Sequence, residues 1–172
     1  MSVYRIQSVR QKAFTLLELI LVMILLCTVL AMAAPSLRGF FSSRQLNDIS
    51  EQILIMTRYA KVQSISESKI YRINFDLNNR WYWMSSLSQS QYQRLDNSFG
   101  NYFTIPSDID MEFEGVQSED RIYYFQFNPQ GYSSEARLRI EDNRGNILKI
   151  VCYGPAENYE IVKPTDEGEY GQ

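Results

Sequence analysis

The chain contains no histidine. The side chain that most often serves as a general base and metal ligand is therefore missing from any mechanism. No serine or cysteine has a base partner of that kind. Carboxylate pairs remain, but no pair is marked out by its spacing. The two cysteines, Cys27 and Cys152, are too few for a disulfide framework and have no zinc-site spacing. Cys27 lies in an apolar run and Cys152 in an expected strand far downstream. No disulfide is expected between them, and both read as small apolar residues. There is no glycine-rich phosphate loop. Cations are scarce beyond the start of the chain. Lys and Arg total 17 against 20 Asp and Glu, and Arg5, Arg10 and Lys12 all precede the apolar run. The remainder is acidic and offers no general attraction to nucleic acid. No cofactor, metal or nucleic-acid partner is expected, and no enzymatic activity.

The chain does have a long apolar run behind a basic start. From Leu19 to Ala34 there is no charge, and with Phe14, Thr15, Leu16 and Leu17 the stretch reaches the length that spans a bilayer as helix. Flanking positive charge holds the start in the cytoplasm and sends the bulk of the chain across. One acid, Glu18, sits near the start of the run, where a carboxylate facing hydrocarbon costs about 2.5–3.5 kcal/mol. A plain single-pass anchor leaves Glu18 unexplained. A secretory signal peptide, with Ala31-Met32-Ala33 as its cleavage site, accounts for the basic start and the apolar core.

The segment Phe14-Thr15-Leu16-Leu17-Glu18 resembles the N-terminal motif of type IV prepilins and pseudopilins. That resemblance implies a leader cut between Ala13 and Phe14 by the prepilin peptidase, with Phe14 then N-methylated. Ala13 stands where the family carries glycine. Glu18 falls on the family's glutamate, and Pro35 on a helix-bending proline that many pilins carry. The resemblance further implies that Glu18 pairs with the new N-terminal amine of a neighbouring subunit in a filament. The physics agrees, because one charge left unpaired in a buried pair is costly. A carboxylate resting at headgroup level is the bland alternative.

Beyond Pro35 and Gly39, which weaken a helix locally, Leu46, Ile49, Ile53, Met56 and Ala60 recur at helical spacing. Arg44, Asn47, Asp48, Ser50, Glu51 and Arg58 are assigned to the opposite side, and Ser42 or Ser43 is a cap for a restart. From Lys69 the period changes to two. Strands are expected over 70–75 and 80–84 around an Asn78-Asn79 turn. Further strands are expected over 109–116, 121–127, 136–141, 147–153 and 159–162. The turn at Asp142-Asn143-Arg144-Gly145 suits positive φ. Residues 85–101, rich in Ser, Gln and Asn, read as a long surface loop. The stretch from Phe125 through Pro129-Gln130-Gly131 to Gly154 resembles the C-terminal part of the H-type minor pseudopilins (GspH/FimT type), with Pro155 in place of the usual arginine.

Asp108, Asp110, Glu112 and Glu114 alternate with apolar residues and so share one strand face. Calcium is conceivable there. Carboxylates two apart on a straight strand stand roughly 6.5–7 Å from one another, which favours a solvated face. Trp81, Tyr82, Trp83, Tyr123 and Tyr124 divide between core and outer face under strand alternation rather than forming one binding surface.

The expected architecture is α+β and pilin-like, a long N-terminal hydrophobic helix packed on a small antiparallel β-sheet domain. Its parts are a leader (1–13), a transmembrane and filament-core helix (14–35), an amphipathic continuation (36–68), an antiparallel β domain (69–163) and a disordered tail (164–172). The expected role is a minor pseudopilin of a type II secretion pseudopilus. It would sit single-pass in a bacterial inner membrane with its C-terminal domain in the periplasm. Its partners would be other pilin-like subunits, the prepilin peptidase and the inner-membrane assembly platform. A minor pilin of a type IV pilus and a non-polymerising anchored binding module are the alternatives.

Overall fold

The computed structural model describes residues 15–163, apart from the side chains of residues 33–42. The expected leader and tail, and the side chains of Pro35, Leu37, Phe40 and Phe41, lie outside the described residues. One helix, α1, spans Leu16–Glu67, with no restart at Ser42 or Ser43. The chain divides into two compact units between Arg38 and Gly39.

In the first unit, the described large apolar side chains from Leu16 to Met32 are exposed, and so is Cys27. Thr28 occupies its hydroxyl within the helix, donating to the Leu25 carbonyl at 2.8 Å. Among the described residues no helix is long and apolar enough to cross a membrane. The span expected over 14–35 extends past both ends of the apolar stretch whose side chains are described.

In the second unit, the stripe Leu46, Ile49, Ile53, Met56 and Ala60 is buried throughout. Ser50 corrects the expected polar side. It lies one turn beyond Leu46 and is fully buried. Its hydroxyl donates to the Leu46 carbonyl at 2.8 Å, which removes the desolvation cost that assigned it to the outside. Ser64 does the same toward Lys61 and also donates to the Asn128 carbonyl.

The strands form two antiparallel sheets rather than one. In the first, β1 (Tyr71–Asp76) lies between β2 (Trp81–Ser88) and β7 (Ile122–Phe127). The edges are β3 (Gln91–Arg94) beyond β2 and β6 (Gln117–Glu119) beyond β7, and the short β4 (Phe103–Thr104) also pairs with β2. The second sheet runs β10 (Glu160–Val162), β9 (Ile147–Cys152), β8 (Ala136–Asp142), β5 (Ile109–Glu114). Alternation puts Tyr71, Ile73, Phe75, Tyr82, Met84, Phe125 and Phe127 inward from the first sheet and Ile109, Leu138, Ile140, Leu148 and Ile150 from the second. With the α1 stripe they form one core.

The stretch 85–101 is not a bare loop. Its first residues lengthen β2, β3 pairs back on them, and a short 3₁₀ helix covers Ser98–Gly100. Ser and Gln disguised this strand because both its faces lie outside the core. The turn after β1 is set by Asp76, whose carboxylate accepts from the Asn79 N–H at 3.0 Å and the Asn79 side-chain amide at 2.7 Å. Burial pushes the Asp76 carboxyl up, but the N–H bonds from Asn79 and Asn78 outweigh it, so its pKa falls below the ordinary value.

Two outcomes test this packing. Ile53→Ala empties a fully buried site and is expected to cost about 2–5 kcal/mol, read by urea unfolding of the full-length chain in detergent. Stability contributed by ionised Asp76 is complete above the unfolded carboxylate value of about 3.9. It is lost as pH falls through the lower folded value. Asp76→Asn is expected to remove that part of the acid dependence of the unfolding midpoint.

Candidate functional site

The residues that carry the expected chemistry cluster at the start of α1. Ala13 and Phe14, the expected cleavage site, lie outside the described residues. Thr15 is the residue before the helix, and Glu18 is in its first turn. The Glu18 N–H donates to Thr15 Oγ1 at 3.3 Å, and the Leu19 N–H donates to the Thr15 carbonyl at 3.2 Å. Thr15 is thus the helix cap, relieving one of the N–H groups that every helix start leaves open. A carboxylate three residues on is also favoured by the positive end of the helix dipole. The Thr15-x-x-Glu18 spacing is a helix-start signature in the sequence, overlapping the Phe14-to-Glu18 motif.

The local fit does not consume the carboxylate itself. Among the described residues Glu18 makes no side-chain hydrogen bond or ion pair, and it stands exposed beside Leu17, Leu19 and Leu21. An unpaired acid on an apolar helix is a charge waiting for a cation once water is withdrawn.

The acids of β5 have a different use. Antiparallel pairing sets Glu112 opposite Arg139 and Glu114 opposite Arg137. The pairs close at 2.9 and 3.3 Å, and Arg139 also reaches Glu141. Hydrogen bonding to Glu112 raises the Arg139 pKa further. Asp108 accepts from the Ser107 hydroxyl at 3.1 Å. Cross-strand charge pairs take up two of the four acids, Glu112 and Glu114. The pairing strand was the missing piece, because strand partners are not encoded in β5 itself.

The aromatic residues also separate. Tyr82 is in the core, with burial raising its hydroxyl pKa, and it donates to Gln52 on α1 at 2.9 Å. Tyr123 stacks on Phe113 at 4.6 Å between ring centres. Trp81 and Trp83 both meet Tyr102 on the outer face of the first sheet. There the Arg72 guanidinium lies between the rings of Tyr92 and Tyr124, 3.7 and 3.8 Å from their centres, and pairs with Glu119 at 2.9 Å.

Residues 9–34 match the family model described as the prokaryotic N-terminal methylation motif. No curated protein matches the chain. Among solved structures, the fold is similar to the minor pseudopilin EpsH from the type 2 secretion system of Vibrio cholerae. One such structure superposes with a TM-score of 0.60 at 11% identity, covering 71% of this chain and 99% of that one. A crystal structure of the same pseudopilin gives 0.59 at 10% identity, covering 70% and 95%. The chain therefore carries a prepilin-type methylation motif and has the pilin-like α+β fold, an N-terminal helix packed on antiparallel sheets.

Removal of the cap is a direct test of the local geometry. Thr15→Ala is expected to cost about 1 kcal/mol at the helix start. The readout is roughly fivefold faster hydrogen exchange at the Glu18 amide.

Proposed function

We propose that the chain is a minor pseudopilin, a non-enzymatic structural subunit of a type II secretion pseudopilus. The observation that carries the proposal is the joint occurrence of a methylation motif over residues 9–34 and an EpsH-like fold in one chain. On this reading the prepilin peptidase cuts between Ala13 and Phe14 and the Phe14 amine is methylated. The apolar start of the helix, residues 14–35, holds the subunit in the bacterial inner membrane, and the C-terminal domain stands in the periplasm. The assembly platform then draws the subunit into a filament beside other pilin-like subunits.

Glu18 supplies the steering contact. The amine exposed by cleavage puts a positive charge into an apolar surrounding, and the Glu18 carboxylate of the next subunit puts a negative one there. Either charge alone is costly there, so only the register that joins them is tolerated. The exposed Glu18 carboxylate, without a partner among the described residues, supports this role.

The test is the N-terminus of the mature protein, read by mass spectrometry of the membrane fraction. A chain starting at N-methylated Phe14 is expected. A start at Ala34 or an intact leader would overturn the proposal. In the same cells Glu18→Ala is expected to leave processing intact and to reduce incorporation into sheared or cross-linked filaments at least about tenfold, the scale of losing one partner of a buried pair.

A further inference from the structure

The outer edge of the second sheet is open. Among the described residues β5 closes that sheet and pairs only with β8. In an antiparallel strand, alternate residues turn their backbone groups toward the partner and away from it. Two observations fix which is which. The Asn143 N–H, at the β8 end, donates to the Asp108 carbonyl at 3.0 Å. The Ile109 N–H instead turns back to the Pro106 carbonyl at 3.1 Å, and the Ile109 carbonyl accepts from Arg80 Nη2 at 2.6 Å. Asp108, Asp110, Glu112 and Glu114 therefore face β8 with their backbone, while Ile109, Met111 and Phe113 face outward. Ile109 is satisfied by Pro106 and Arg80. The N–H and C=O groups of Met111 and Phe113 are left pointing off the edge.

Space lies alongside them. A groove of about 480 Å³ is lined by Leu77, Met111, Phe113 and Tyr123, with Glu112 and Glu114 on its rim next to Arg137 and Arg139. An unpaired strand edge with an apolar floor is a template for another strand. The charge on this edge restricts which strand. Asp110, Glu112 and Glu114 are all exposed, and the Asp110 side chain makes no ion pair or hydrogen bond among the described residues. A second copy of β5 fits badly. Every register that keeps its apolar side chains inward sets acid against acid, which destabilises the pair.

We infer that the β5 edge is a docking site for an extended segment of another protein, in which basic residues alternate with apolar ones. The segment would add a strand to the second sheet. Its backbone would bond Met111 and Phe113, its apolar side chains would rest on Leu77 and Tyr123, and its cations would face Asp110, Glu112 and Glu114. This inference does not rest on the N-terminal processing proposed above.

The test uses the full-length chain in detergent micelles and synthetic seven-residue peptides. The probe alternates lysine and valine; the controls replace lysine by glutamate, or N-methylate every residue of the probe. The lysine peptide is expected to slow exchange of the Met111 and Phe113 amides about tenfold, and neither control is expected to do so. Asp110→Lys, a change at an exposed side chain that lies across from Glu141, is expected to weaken the lysine peptide about fivefold without lowering the thermal midpoint. The inference fails if those two amides are unprotected, or if the glutamate or N-methylated peptide protects them equally. It also fails if the chain alone protects them as its concentration rises, since the occupant would then be a second copy.

Discussion

Everything in the second unit depends on giving two antiparallel sheets a common dry side. Each sheet buries alternate residues and leaves the others to water. The α1 stripe from Leu46 to Ala60 joins Phe75, Phe125, Ile140 and Ile150 in one core. Polar groups are admitted to that core only with partners. Ser50 and Ser64 bond back along the helix, and Tyr159 donates to the Ser134 carbonyl at 2.7 Å. Lys61 ties the loop before β10 to the helix through the Ala156 and Glu157 carbonyls and Asn158 Oδ1, at 3.0, 2.8 and 3.1 Å.

The first unit obeys the opposite logic. Its described leucines and isoleucines are exposed. A large exposed apolar surface on a soluble monomer is a liability, and the same surface in a membrane or against other helices is an asset. Glu18 is the exception in that surface. Its backbone is served by Thr15, while its carboxylate has no partner among the described residues. The two halves of α1 thus divide the work. The C-terminal half organises a folded domain, and the described N-terminal half presents an exposed apolar surface.

The periodic features were legible from the sequence. The helical stripe, the hairpin around Asn78 and Asn79, the strands that became β7, β8 and β9, and the turn ending in Gly145 (φ +81°) all follow from local spacing and turn chemistry. Ser50 was misplaced because a serine reads as surface until its bond to a carbonyl one turn back is known. The β3 strand was missed because its residues are all exposed, so no period of two could mark it. At the site, the Phe14-to-Glu18 pattern was legible and so was Thr15-x-x-Glu18, although one short segment invites a single explanation at a time.

What the sequence determined alone is what a few neighbouring residues control: the basic start, the apolar run with its single acid, the stripe spacing and the turns. Pairing belongs to the tertiary structure. That Glu112 meets Arg139, that the strands divide between two sheets, and that β5 ends one of them with the backbone groups of Met111 and Phe113 turned off its edge depend on contacts between segments far apart in the chain. Backbone hydrogen bonding makes all strands locally alike. Only the packing of side chains from every element at once decides which strands become neighbours and which edge is left open.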